Sequence, residues 1–450
     1  MTAAAVRPAR SGTRATSLVR RPAFWVVITL VAVGAVRMSE IAGRFLTTYP
    51  WATATALVLF ALLAVPFWLF VSELDFFERE PTGLLVVAFA WGGLVATSVS
   101  IPGSAALEDL IAKLGSLRLA ADWGAALAGP TVEETAKTLG VVAIVLVARA
   151  QVNSVLDGVV YGAMVGLGFQ IVEDIVFALG AVALAGRGDH IQPVIDTFLL
   201  RGFLSGIWSH TLFGALAGAG VGYLVLHRDR SPANRIGVAS LAVLGAWASH
   251  VLWNSPLFSD GLGNGPLGLI AVLLLKGLPP LLLILLLVRR AHDREADYYV
   301  EQLATLRDPR LVTPGELAAL GSASRRAAAR RHAETRAGRE AQVAVRRLQR
   351  AQAHLAVELS RASARGADHD PPDPVLDHSA QPQGDPTEPQ SDLTGSHCAA
   401  IRAQRDILRR LGHPEAVTGP RSWRHTASTI GTTVVAIAVL WVALSALGGS

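Results

Sequence analysis

The chain has a single cysteine, Cys398, in 450 residues. That excludes a disulfide framework and any metal site built on several cysteines. Charge is also scarce: Asp, Glu, Lys and Arg make up 17% of the residues, against about a quarter in soluble domains. Hydrophobic residues reach 51% and mean hydropathy is +0.41. A mainly soluble globule is excluded, although length alone would suggest about three domains. Residues 23–288 contain long uncharged runs, whereas 289–425 hold most of the arginines. The net charge of +5 and the pI of about 9.8 therefore do not imply a nucleic-acid partner. The excess is arginine beside apolar segments, which membrane topology demands.

Apolar runs approaching the roughly 20 residues that a bilayer core requires fall at 23–43, 52–71, 83–101, 122–148, 158–185, 196–226, 235–253, 267–288 and 427–447. The expected fold is all-α: a polytopic transmembrane bundle of about eight core spans plus one C-terminal span. Around it lie a basic N-terminus at 1–22, a basic helical region at 289–365, and a disordered linker with a short helix at 366–426. The segment 102–121 has the spacing of an amphipathic helix lying on the membrane. Thr313-Pro314-Gly315-Glu316 reads as a capping box with Pro at the first helical position, opening a solvated basic helix. Five arginines precede the first span, so the N-terminus and 289–425 are expected inside, and the loop at 254–266, which lacks Lys and Arg, outside. That orientation suits the cytoplasmic membrane of a bacterium. One loop dissents: 72–82 should be inside yet reads SELDFFEREPT, rich in acid.

A charge at mid-bilayer costs several kcal/mol, so each needs a partner or a purpose. Span four carries Glu133, Glu134 and Lys137; span five Glu173 and Asp174; span six Arg201 and His210; span seven His250; span eight Lys276. Lys137 lies angularly between the two glutamates and can pair with either, while the glutamates diverge by about 100°. One is therefore left to face a cavity. In span five, Gly158, Gly162 and Gly166 form a close-packing stripe that Phe169 and Glu173 continue. His210 is followed by small residues at 214 and 218, and Asn254 lies one turn beyond His250. Glu133, Glu173 and His210 fall roughly 16, 18 and 21 Å below the outer ends of their spans, a shared middle layer. Arg201 and Lys276 are assigned structural roles, either snorkelling or paired with Asp174.

Carboxylates and imidazoles are the ligands and bases of metal-assisted hydrolysis. Glu173, His210 and His250 suit the ligands of a divalent ion such as zinc, and Glu133 or Glu134 the general base. No HExxH signature is present. The same residues suit a metal-free route, in which a glutamate activates water while His and Asn254 donate to the oxyanion.

The chain resembles the PrsW family of intramembrane proteases, a branch related to the CAAX prenyl endopeptidase and bacteriocin-processing group. The resemblance covers roughly residues 50–290. It rests on EETAK at 133–137, FQIVE at 169–173, His210 with its small residues, and His250 with Asn254. It implies a membrane-embedded metalloprotease with Glu133, Glu134, Lys137, Glu173, His210 and His250 as the active-site set. The implied partners are the bilayer and a membrane-anchored protein substrate, an anti-sigma factor being a known case in the family. Asp174 departs from the asparagine expected there. The competing class is a proton- or ion-coupled secondary transporter, which also buries Glu, His and Lys near the midplane. It would show an inverted repeat, and EETAK has no counterpart after residue 200. A third class, a non-catalytic scaffold recruiting lipid through the basic tail, leaves the buried carboxylates without purpose.

Overall fold

The computed structural model describes residues 19–204, 210–257, 266–367 and 390–417. Among these there is no strand. Among the described residues, the main helices before residue 305 are α1 Pro22–Thr48, α2 Pro50–Ser72, α3 Thr82–Leu114, α4 Ala125–Val147, α5 Val155–Ala185, α6 Gln192–Thr197, α7 His210–Leu226, α8 Pro232–Asn254 and α9 Pro266–Ala304. Among the described residues, α1, α2, α3, α5 and α8 are long and apolar enough to cross a membrane. The apolar α7 has only 17 residues, and Glu133, Glu134 and Lys137 interrupt the apolar run of α4. Trp25, Leu62, Leu69 and Leu241 all point outward. In water such a surface is a liability; in a bilayer it is the face that meets lipid. The protein is an all-α membrane bundle.

Three expectations change. The amphipathic segment at 102–121 is not a separate element. The helix of span three runs on through Pro102 to Leu114, because Gly103 lets it press against Val132 of α4. Span six is not one regular helix: α6 passes into a wide π-helical turn at Phe198–Leu204, and α7 is described from His210 to Leu226. Helix α9 continues past residue 288 to Ala304. The final span at 427–447, and the stretch 368–389 of the expected disordered linker, lie outside the described residues.

The centre of the bundle is α5, buried on all sides from Leu156 to Ile171. Its start is set by a capping box: Ser154 Oγ accepts from the Asp157 N–H, and Asp157 Oδ2 accepts from the N–H groups of Asn153 and Ser154. Glycine then decides its neighbours. A Cβ on Gly162 would sit 2.1 Å from the Gly214 carbonyl oxygen of α7, and one on Gly166 2.1 Å from that of His210. On the opposite side, Gly92 of α3 and Gly168 of α5 meet the other helix's backbone at 1.9 and 2.0 Å by the same measure. Backbone-to-backbone contact of this kind is what small-residue stripes allow in a membrane.

The acidic loop between α2 and α3 is folded inward, so its acids are used in contacts within the protein. Asp75 Oδ1 accepts from the N–H groups of Phe77 and Glu78. Glu78 accepts from Tyr299 of α9 at 3.1 Å and from Arg361 at 3.3 Å. Tyr161 donates to Glu80. Burial, with Asp157 nearby, pushes Glu78 up to about 7 and raises Asp75 as well.

The chain divides into two compact units, residues 1–305 with 353–385 and residues 306–352 with 386–450. In the second unit α10, Pro314–Leu320, opens on the expected capping box between Thr313 and Glu316. Helix α11, Ala323–Ala367, breaks at Gly338 (φ 81°), and α12 is Gln390–Arg410. Buried Leu320, Ala333, Leu348, Ile401 and Leu408 give this unit its own core. Glu316 is its polar centre, paired with Arg405 and accepting from Gln352 at 2.9 Å and the Ala416 N–H at 3.2 Å. The basic tail is thus a folded helical unit rather than a solvated helix.

Candidate active site

One turn of α4 carries Glu133, Glu134 and Lys137, all buried. Trp91 of α3 holds this turn. Its indole N–H donates to the Ala136 carbonyl at 3.0 Å, and its ring lies in the notch left by Gly140. The Lys137 ammonium rests 4.4 Å from the centre of the Phe169 ring of α5. It chooses between its two carboxylates, standing 2.6 Å from Glu134 Oε1 and 3.8 Å from Glu133 Oε2. Glu134 is therefore the paired glutamate and Glu133 the other. Oε2 of Glu133 is buried and accepts no hydrogen bond, while Gly129 leaves room for its Oε1 and for Asn254 Nδ2.

The two histidines complete the cluster, and their partners fix their tautomers. Glu173 Oε2 lies 2.9 Å from His210 Nε2 and Glu134 Oε1 lies 2.8 Å from His250 Nδ1. A carboxylate only accepts, so these two nitrogens carry the protons. Lys137 Nζ approaches His210 Nδ1 at 2.9 Å and Asn254 Nδ2 approaches His250 Nε2 at 3.2 Å. Both groups are donors, so His210 Nδ1 and His250 Nε2 present lone pairs. Each of these nitrogens lies 3.8 Å from Glu133 Oε2. Two imidazoles, each held by a carboxylate from behind, thus bring their unprotonated nitrogens within 3.8 Å of one carboxylate oxygen that accepts no hydrogen bond.

All seven residues singled out in the sequence meet here, with one change of place. Glu133, Glu134, His210 and His250 each offer a ligand atom within 4.8 Å of one another, and Glu173 is not in that set. Its Oε2 is taken from two sides, by His210 and by Arg201 Nη2 at 2.7 Å. Arg201 also donates from Nε to Asp174 Oδ1 at 2.8 Å and stacks on Phe177. It braces Glu173 as well as Asp174, a link that its position alone did not reveal, because the π-helical turn at Phe198–Leu204 carries it. Lys276 points elsewhere and donates to the Ser255 carbonyl at 2.6 Å, beyond the end of α8. Asn254 lies at the exposed rim.

The helices thus gather three carboxylates, two of them buried, two imidazoles and an ammonium around one point, a donor set suited to hydrolysis. Residues 80–284 match the model of the PrsW family intramembrane metalloproteases. This stretch contains all seven residues, and through it the chain is similar to that family of membrane-embedded proteases. No curated protein and no solved structure matches the chain.

Proposed function

We propose that the protein hydrolyses peptide bonds of membrane-anchored protein substrates, with Glu133 taking the proton from the attacking water. The observation that carries this reading is Glu133 Oε2, buried without a hydrogen-bond partner between His210 Nδ1 and His250 Nε2. Glu134 also has an Oε2 without a hydrogen-bond partner, but it is the poorer base because its Oε1 serves both Lys137 and His250, which hold it as the charged partner of the ammonium. Glu133 holds the proton and passes it to the leaving amine. Asn254 Nδ2 at the rim and the Lys137 ammonium are the donors for the oxygen that turns negative at the attacked carbonyl.

The divalent metal implied by the family would be held by His210, His250 and Glu134, which leaves Glu133 as the base. The donor set fits: nitrogen and oxygen ligands, two imidazoles already oriented from behind, and a buried Glu134 Oε2 without a hydrogen-bond partner. We take zinc as the ion, which when bound polarises a carbonyl and acidifies water. Lys137 competes with it, because its ammonium uses His210 Nδ1 and Glu134 Oε1. Glu173 serves as the brace of His210 instead of as a ligand. We place the protein in the bacterial cytoplasmic membrane with its N-terminus inside, and its substrates among single-span proteins. An anti-sigma factor is one such substrate to assay.

The test is cleavage of a single-span substrate by the purified protein, with its metal content measured. Chelation should abolish cleavage and zinc restore it, and His210→Ala or His250→Ala should lower bound metal. Activity that persists in metal-free protein removes the ion from the reading and leaves Glu133. Wild-type cleavage by Glu133→Gln overturns the reading itself.

A further inference from the structure

Away from the site, the first turns of α1 and α3 and the last turn of α4 enclose a crevice of 270 Å³. Val27, Leu84, Ile144 and Val147 form its buried floor, and Ile28 and Gly83 stand at its open side. Every residue lining it is apolar. Val147 lies roughly 21 Å along α4 from Glu133, so the crevice has no part in the hydrolytic step. Its volume takes roughly nine groups the size of a water or a methylene, at about 30 Å³ each. Half an acyl chain fits. A helix, about 10 Å across with its side chains, does not.

The end of the crevice is basic. Arg21, the residue before α1, donates from Nη1 to the carbonyl of Val147 at 2.7 Å. Arg20 is exposed beside it. Among the described residues neither pairs with a carboxylate. Trp25, exposed one turn along with its indole N–H on the Val19 carbonyl, has the position of an interfacial aromatic at headgroup depth. The acids of the nearby loop are engaged elsewhere: Glu73 with Arg79, Glu78 with Arg361, and Glu80 with Tyr161.

We propose that this crevice is a phospholipid site. One acyl chain fills the apolar floor, and the phosphate of an anionic glycerophospholipid rests on Arg20 and Arg21. Helix α1 precedes the family-matched stretch, which begins at residue 80. A lipid bound here touches α1, α3 and α4 together, and so fastens that added helix to the catalytic core. The inference does not depend on the proteolytic mechanism.

The experiment reconstitutes the full chain in vesicles with spin-labelled phosphatidylglycerol or phosphatidylcholine and reads the motionally restricted fraction. Gly83 is the place for a plug, because a Cβ there meets nothing within 4 Å. Gly83→Leu should remove the restricted excess of both lipids. Val87→Phe is a second plug, and circular dichroism confirms that each variant is folded. Arg20→Gln with Arg21→Gln should keep the chain bound and lower the preference for phosphatidylglycerol about fivefold per arginine. Inorganic phosphate should not displace the lipid, since the chain supplies the anchorage. Equal restricted fractions in wild type and both folded plug variants overturn the proposal. So does displacement by phosphate alone, which would make the end a simple anion site. Occupation by an apolar transmembrane peptide in place of lipid overturns it too.

Discussion

Glu133 and Glu134 are adjacent in the chain and opposite in circumstance. One turns an unpartnered oxygen to two histidines; the other is bound to Lys137 and His250. Glu133→Gln should therefore lower the cleavage rate about 10²–10⁴-fold, the usual scale for a lost general base, with helical content unchanged. Glu134→Gln should act mainly through stability, because it leaves a buried ammonium without its nearest counter-charge. Lys137→Met strands a buried carboxylate in turn and should destabilise by about 3–5 kcal/mol. The double variant, which removes both charges, should recover part of that loss in thermal unfolding. Additive losses would show that the pair is not coupled. That one glutamate pairs with Lys137 was legible from helical spacing. Which one does was not, because the choice is made by Trp91, Phe169 and the two histidines, which come from four other helices.

At the scale of elements, the site depends on how closely α5 and α7 approach. His210 is the first residue of α7, and its own carbonyl lies against Gly166. Widening this seam carries the imidazole away from Glu173 and Glu133. Gly162→Leu should lower the melting temperature and abolish cleavage although no residue of the site has changed, since overpacking costs roughly 1–3 kcal/mol. Gly180→Leu is the control on the same helix, because a Cβ there meets nothing within 4 Å; it should be active and stable. Inactivity of both variants would mean that α5 tolerates no added bulk anywhere, and the seam would lose its special role. The stripe of glycines was visible as a period of four. Its partner was not, because α5 presents glycine to α3 as well, and periodicity along one helix does not name the helix opposite.

For the whole molecule, the inward-folded acidic loop predicts a dependence on pH. Glu78 is raised to about 7 from an ordinary 4.5, so the folded chain holds its proton more tightly than the unfolded chain. Its stabilising share is complete below about pH 4.5 and is lost as pH rises towards 7, at most on the order of 3 kcal/mol. Thermal unfolding followed from pH 5 to 8 should show this decline, and Glu78→Gln should flatten it. An unchanged slope in the variant would place the dependence on other groups. The proposed orientation has its own check: a reporter fused at residue 260 should be outside and one at 330 in the cytoplasm. Finding 330 outside inverts the topology.

Composition and periodicity by themselves determined that this chain is a helical membrane protein and marked its few ionisable residues within the apolar spans as one group. The reason is energetic: a bilayer requires long apolar helices and tolerates so few buried charges that each one is conspicuous. Only the tertiary structure decided the arrangement within that set. Glu133 is the carboxylate farther from Lys137, its Oε2 without a hydrogen bond, Glu173 is braced by Arg201 behind His210, the acidic loop turns inward, and the basic tail has its own core. These outcomes rest on contacts between residues far apart in the chain, where an ångström decides whether a carboxylate meets an ammonium, an imidazole or nothing.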